Sequence, residues 1–594
     1  MTVEAAPTRS IPRRDWARRV RSLLRGREIW MVGLGALVGV GSGLAVSLIG
    51  TISSELHNLL FGVHGERLSG VAHLPRGYFA PILGGVIAAI AGILWSNRRP
   101  QVPVDPIEAN ALHGGQMSLR DSVWVTFQTL IANGFGASVG LEAGYAQIGS
   151  AIASRLGVWV RLSRQDLRMM VGCGAAGAIA AAFAAPLTGA FYAFELIIGV
   201  YSVGNVAPVL AASLTGVWTT KALRAVSYAL VMPAVAPLRL DDYPLTILLG
   251  ILCAVLGVAI MRAVHLAELA FDATRLPKPA RLVAGGLIMT GLALITPQVL
   301  AAGHGAMRID IPAKLSIAAL AAFLGLKMFA SVISLGAGFR GGLFFASLFL
   351  GALAGKLFAA MLLLVAPNYP VDETLCMLTG MSALAVAVIG GPLTMAFLVL
   401  ETTGDFGVTT VVLMAGVISA LVVRETFGYS FSTWRLHLRG ETIRSAIDVG
   451  WMRNLTVGRM MRRDPGTILA DASLAEFRRR NPLGSTQRVG VVDADGRYVG
   501  VALTADAFAS AEHPDEDAKR TVADIARWGD APLTPAMNVR DAMRAFDAAE
   551  SEALAVVDDL QSRKLLGLLT EGYAVRRYAE ELDKARQGLA GGAA

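Results

Sequence analysis

Residues 186–195 read PLTGAFYAFE and residues 392–401 read PLTMAFLVLE. Proline, leucine, threonine, alanine, phenylalanine and glutamate recur in register at an offset of 206 residues (392 minus 186). Proline suits the first position of a helix, where its missing N–H would have no partner anyway. The lead-ins, residues 172–185 and 380–391, are both rich in glycine and alanine. Upstream of each copy lies an apolar segment interrupted by glycine, residues 134–149 and 336–351. The membrane part is therefore a duplication, and each half holds a broken segment followed by a proline-led helix.

The surroundings of the repeat are apolar. The 594-residue chain is 54% hydrophobic and 16% charged, with a mean hydropathy of +0.54. Soluble domains carry about 25% charge. Long apolar runs extend from Trp30 to about Arg424, and after Arg435 the sequence turns polar. Several runs reach the ~20 residues that a helix needs to cross a bilayer. Others are too long for one crossing or are broken by glycine, so broken helices fit better than clean spans.

Paired broken segments matter because a broken helix exposes N–H groups that carry partial positive charge. Several such ends converging at mid-membrane bind an anion without a full positive charge. Small residues that merely let helices pack closely are the competing reading. Against it stands Glu142, in Gly140-Leu141-Glu142-Ala143-Gly144, alone among apolar neighbours from 123 to 154. A carboxylate there costs several kcal/mol unless it is protonated, paired or facing water. It can act as a gate that occupies the anion site and leaves when protonated, or it can be a structural group bonded to backbone N–H. Glu195 and Glu401 end the two repeated helices symmetrically, so structural roles are expected for both, such as capping broken-helix N–H groups.

Taken together, these residues resemble the CLC family of chloride channels and chloride/proton antiporters. The resemblance implies an all-α polytopic membrane fold, an inverted-repeat helical bundle, assembled as a homodimer with one pore per subunit. It makes Glu142 the gate in a sequence similar to the family's G-[K/R]-E-G-P. A second motif, G-x-F-x-P, resembles residues 341–346 and implies that Gly342, Leu343 and Phe344 line the anion site, as do Gly140 and Leu141. The family's late tyrosine matches Tyr429, in Gly428-Tyr429-Ser430. Departures are plain. The family's G-S-G-I-P is replaced by Val102-Pro103-Val104-Asp105-Pro106, with Pro103 at the usual serine position. That leaves nitrate open beside chloride. The gate motif has Leu141 for a basic residue, and the third motif ends in Ala346. Arg340 is an extra positive charge that either faces the pore or snorkels to the interface. The glutamate that serves internal proton transfer in many family antiporters is Leu196 here, which leans toward passive conduction.

The tail contains two similar units and resembles a pair of CBS domains. The first has a helix at 473–480, a strand at 488–493, an Asp495-Gly496 turn and a strand at 498–503. The second has a helix at 539–548 and strands at 553–558 and 565–569. Such pairs often bind adenine nucleotides, and Thr504 and Asp506 approximate the usual contacts. No cofactor is required otherwise. The expected organisation is a basic segment at 1–28, a membrane domain at 29–433, a linker at 434–454, CBS units at 455–511 and 512–583, and a disordered tail at 584–594.

Eight arginines between residues 9 and 27 precede the first apolar run, with no cleavage site after a short one. They predict cytoplasmic termini, an inner-membrane location and contact with lipid headgroups rather than nucleic acid. Cys173, Cys253 and Cys376 lack metal-ligand spacing. An intramembrane enzyme would need a nucleophile–base or metal set, and the apolar segments contain no HExxH, GxSxG or histidine pair. His304, in Gly303-His304-Gly305, is read as a structural or interfacial loop residue. A cation carrier with a CBS regulator would place several carboxylates in the membrane core, and few are present. The expected function is chloride conduction gated by voltage or protons through Glu142. The alternatives are a chloride/proton antiporter, a nitrate or other anion transporter and, more distantly, a cation transporter.

Overall fold

Glycine and proline, rather than hydropathy alone, divide the long apolar runs into helices. The computed structural model describes residues 28–62, 75–96, 103–224, 232–439, 455–463, 465–509 and 520–589. The N-terminal arginine cluster, Val102 and most of the linker fall outside them. The chain forms two units, Met1–Asp448 and Val449–Ala594.

The first unit is all helix among its described residues. Its helices are α1 (Glu28–Phe61), α2 (Ala80–Ser96), α3 (Pro106–Leu112), α4 (Leu119–Gly134), α5 (Glu142–Val160), α6 (Arg164–Phe183), α7 (Pro186–Tyr192), α8 (Val203–Ala222), α9 (Asp242–Ala273), α10 (Lys278–Ile295), α11 (His304–Asp310), α12 (Ile317–Gly336), α13 (Phe344–Val365), α14 (Glu373–Ile389), α15 (Pro392–Thr403), α16 (Phe406–Thr426) and α17 (Phe431–Leu438). Eight helices among the described residues are long and apolar enough to cross a membrane. Large apolar side chains such as Leu48, Val255 and Leu287 stand exposed on them, the expected face toward lipid. The chain is a multi-pass integral membrane protein.

The duplication appears as matched helix pairs. Gly149 of α5 meets Gly174 of α6, and Gly351 of α13 meets Gly380 of α14. A Cβ on any of these four would strike the partner's backbone carbonyl. Only glycine allows that approach. The repeated helices α7, which continues as a π turn over Ala193–Ile198, and α15 exchange caps. Glu195 accepts from Leu393 N (3.0 Å), Thr394 N (2.8 Å) and Thr394 Oγ1 (2.6 Å). Glu401 accepts from Leu187 N (2.7 Å), Thr188 N (2.9 Å) and Thr188 Oγ1 (2.7 Å). Phe191 and Phe397, equivalent in the two copies, stack at 4.1 Å between ring centres. Each carboxylate ends its own segment and caps the start of the other, so the two segments run antiparallel about the phenylalanine pair. The halves are inverted relative to one another.

The second unit contains α18 (Val457–Met460), β1 (Arg462–Arg463), β2 (Thr467–Leu469), α19 (Leu474–Arg480), β3 (Arg488–Val492), β4 (Tyr498–Leu503), α20 (Thr504–Ala509), β5 (Ala526–Arg527), α21 (Val539–Ala549), β6 (Ala553–Val557), β7 (Leu565–Thr570) and α22 (Glu571–Leu589). Its sheets have the orders β1-β7-β6 and β2-β3-β4-β5. The expected division at 511/512 needs correction. β1 pairs with β7, at Arg462 with Leu568 and Arg463 with Gly567, and Leu455, Val457 and Met460 share a core with Phe546 and Val556. Conversely β5 pairs with β4, and Val522 and Ile525 pack with Phe477 and Val491. The two units thus exchange their opening segments, because each apolar opener is buried by the other sheet. α22 runs to Leu589, past residue 583, where the sequence reading began a disordered tail.

Candidate functional site: an anion cavity between the two halves

The apolar stretch around Glu142 breaks at 135–141, and the one around Phe344 breaks at 337–343. The breaks meet. Gly140 N donates to Gly342 O (2.8 Å), and Gly342 N donates to Gly140 O (3.1 Å). This exchange sets the N-terminus of α5 beside that of α13. The residues preceding the two helices, Leu141 and Leu343, offer no side-chain cap. Two helices of 19 and 22 residues therefore aim uncapped N–H groups at one place, which is the physical requirement for an anion site.

That place is a cavity of about 260 Å³ lined by Pro103, Glu142, Ala143, Gly342, Leu343 and Phe344. Of the seven expected anion-site residues, Pro103, Gly342, Leu343 and Phe344 are brought together with the gate candidate. Gly140 supports the junction, and Leu141 is buried in the core. The Glu142 carboxylate is 2% exposed, and neither oxygen has a hydrogen-bond partner on another described residue. It folds back toward Gly140, where a Cβ would collide with Oε2. Gly140 must therefore be glycine while the carboxylate lies there.

The third segment behaves differently. Asp105 caps the seven-residue α3 by accepting from Ile107 N (2.8 Å), so this helix end is occupied by its own carboxylate. Asp105 lines the cavity too, as do Arg340, Arg435 and Arg439. Arg340 thus faces the cavity rather than only snorkelling. Three guanidinium groups thus line the cavity with the two carboxylates, and Arg439 also pairs with Glu108 (3.7 Å).

Tyr429 is not at this cavity. Gly428, at φ +86°, turns the chain before α17, and Ser430 forms the capping box of that helix with Thr433. Tyr429 stacks on His437 at 4.6 Å, with its hydroxyl 3.3 Å from Nδ1. Together with Leu196 and Glu195 it lines a separate cavity of about 420 Å³. Besides Phe344, the aromatic groups at the anion cavity are Phe431 and Tyr192. Tyr192, 6.0 Å from the Phe344 ring, ends α7 in the repeat itself, so a phenol inside PLTGAFYAFE was the signal for it.

His304 also differs from its expected place in a loop. It opens α11, is 9% exposed, and its Nε2 lies 3.9 Å from Glu142 Oε1. Its ring stacks on Phe345 at 3.5 Å. Nothing local in Gly303-His304-Gly305 points to a residue 162 positions away (304 minus 142).

Residues 84–424, more than half of the chain, match the family described as voltage gated chloride channel. The chain belongs to the CLC family. Among similar CLC proteins is the voltage-gated ClC-type chloride channel ClcB of Escherichia coli (strain SMS-3-5), 28% identical over 355 residues, spanning 59% of this chain and 84% of that protein. Similar solved structures include a slow cyanobacterial Cl⁻/H⁺ antiporter (TM-score 0.60, 20% identity, 69% of this chain and 97% of that one). A CLC-type fluoride/proton antiporter follows (TM-score 0.55, 21% identity, 67% and 95%). A eukaryotic CLC transporter covers most of the chain (TM-score 0.58, 18% identity, 93% and 98%). At these identities the structural likeness carries the CLC fold.

In the second unit, Thr504 opens α20, and its hydroxyl donates to Thr486 O. Asp506 pairs with Arg527 at 2.7 Å. A nucleotide ribose would have to compete with that guanidinium.

Proposed function

We propose that this CLC protein conducts chloride or a similar small anion through the cavity between its inverted halves, with Glu142 as the gate. The observation that carries this reading is the Glu142 carboxylate, buried in the cavity beside two uncapped helix N-termini and without a hydrogen-bond partner on another described residue. An ionised carboxylate there occupies the position that suits a small anion. Once protonated, it has no charge to hold it against the helix ends, and an anion can replace it. Phe344 and Gly342 supply the N–H side of the site, Pro103 the opposite wall, and Tyr192 takes the place expected of Tyr429 as the phenol at the anion. Passive conduction is favoured because Leu196 cannot carry a proton. We place the protein in the inner membrane as a homodimer with both termini cytoplasmic, and read the tail as a CBS pair on the strength of its two β-α units with exchanged openers.

One observation favours proton-coupled exchange as a second reading. The cavity holds another carboxylate, Asp105, and the Tyr192 phenol lines it together with Asp105 and Glu142. Efflux from liposomes separates the readings: chloride, nitrate and fluoride release are recorded together with external pH. Proton movement against its gradient, driven by chloride, refutes passive conduction. Flux and pH response unchanged in Glu142→Gln refute the gate.

A further inference from the structure

His304 touches both uncapped helices at their first turn. Its Nε2 is 3.9 Å from the carboxylate of Glu142, the first residue of α5, and its ring lies on Phe345, the second residue of α13. At 3.9 Å the two groups are within ion-pair range, and a movement of about 1 Å makes a charge-assisted hydrogen bond.

The segment that carries His304 is held at both ends. Before it, Lys327 of α12 donates to Val299 O (3.0 Å) and Ala301 O (2.6 Å). After it, Lys356 of α13 donates to Asp310 O (2.9 Å), Ile311 O (2.9 Å) and Ala313 O (2.8 Å). Gln298 Nε2 bridges the ends by donating to Asp310 Oδ1 (2.9 Å). Lys356 also pairs with Glu373 Oε1 (3.1 Å). With both lysines engaged in this way, the imidazole is presented to Glu142 from a fixed base. The charged groups on the surrounding elements are Glu142 on α5, Lys327 on α12, Lys356 on α13, and Arg308 and Asp310 on α11. Lys327 and Lys356 are engaged as described, Arg308 is exposed, and Asp310 accepts from Gln298. Glu142 Oε1, 3.9 Å from Nε2, lies in ion-pair range of the ring.

We propose that His304 is a positioning residue for the gate. Its imidazolium pairs with the Glu142 carboxylate and keeps it in the cavity, and transfer of the Nε2 proton to Oε1 releases it. In that step the Nε2–H bond breaks and the Oε1–H bond forms. The ion pair becomes a neutral imidazole and a neutral acid, and uptake of a solvent proton at Nε2 completes the net protonation of the pair. This rests on Glu142 being the gate.

Chloride efflux from liposomes, measured from about pH 4.5 to about pH 8 across the histidine range, tests it. His304→Phe keeps the stacking on Phe345, and His304→Gln keeps a polar group without a titrating charge. An imidazolium this close opposes protonation of a carboxylate, by about one to three units for such neighbours. Both variants are therefore expected to move the flux midpoint to higher pH by about one unit or more. In a Glu142→Gln background the same substitutions should change nothing. Midpoints at the wild-type value in both variants, with the pH response abolished in Glu142→Gln, overturn the inference and leave the gate standing. A wild-type pH response in Glu142→Gln overturns the gate reading itself. His304→Gln carries the test if His304→Phe fails to fold.

Discussion

Glu401→Gln should loosen the join between the two halves by an amount that the cap geometry sets. The carboxylate accepts three hydrogen bonds, one at Oε1 and two at Oε2. A glutamine retains one oxygen, which can serve Thr188 N and Thr188 Oγ1. Its NH₂ then faces Leu187 N–H, donor against donor. Loss of one hydrogen bond to a charged group is worth about 1.5–3 kcal/mol. Loss of the negative charge at the start of α7 adds about 0.3–1 kcal/mol, giving about 2–4 kcal/mol. Glu401→Ala leaves three donors without an acceptor and should exceed the glutamine variant, at about 1–3 kcal/mol for each. The same substitutions at Glu195 should lose similar amounts, because its three bonds to Leu393 and Thr394 repeat the pattern. The assay is unfolding of the purified protein in detergent, followed by tryptophan fluorescence, with a second probe to check that the transition is two-state. Losses below about 0.5 kcal/mol at both sites, within the range of ordinary surface substitutions, refute the exchanged caps. So does equality of the alanine and glutamine variants. Tyr192 ends α7, so Glu401→Gln should also reduce anion flux.

Gly140→Ala puts a methyl group where the Glu142 carboxylate lies; flux should lose most of its pH dependence, and retention of the wild-type profile refutes the folded-back position. Arg340→Gln removes one charge from the cavity mouth. Apparent chloride affinity should weaken by roughly severalfold, an effect that fades with salt and is read from flux against chloride concentration. Full-length protein titrated calorimetrically with ATP and AMP should show weak heat that grows in Arg527→Ala, which frees Asp506; no heat in either at millimolar nucleotide ends the nucleotide idea.

The repeat made much of the fold readable before any coordinates. Two matched PLT segments with terminal glutamates announce a duplication. The exchange of caps between them depends on the antiparallel arrangement, which a linear comparison of the copies does not contain. The gate candidate was legible because a lone glutamate in an apolar run is expensive. Tyr429 was misplaced because its motif carries no information on which side of the Gly428 turn faces inward; the turn sends Phe431 and Ser432 to the cavity and Tyr429 to His437. His304 was unreadable for another reason. Its partner is distant in sequence, and its neighbours are glycines compatible with any exposed loop. The exchanged openers of the second unit escaped notice because short strands such as Arg462–Arg463 have almost no periodicity of their own.

The reciprocal bonds between Gly140 and Gly342 join residues about two hundred positions apart. During synthesis the first half emerges long before Gly342 exists. Until then the N-terminus of α5 has no counterpart, and the cavity lacks the wall supplied by Gly342, Leu343 and Phe344. A nascent or truncated chain ending before that point thus inserts helices into the bilayer without a finished conduit. The cavity, lined from both halves, is therefore completed only after the second half has been made.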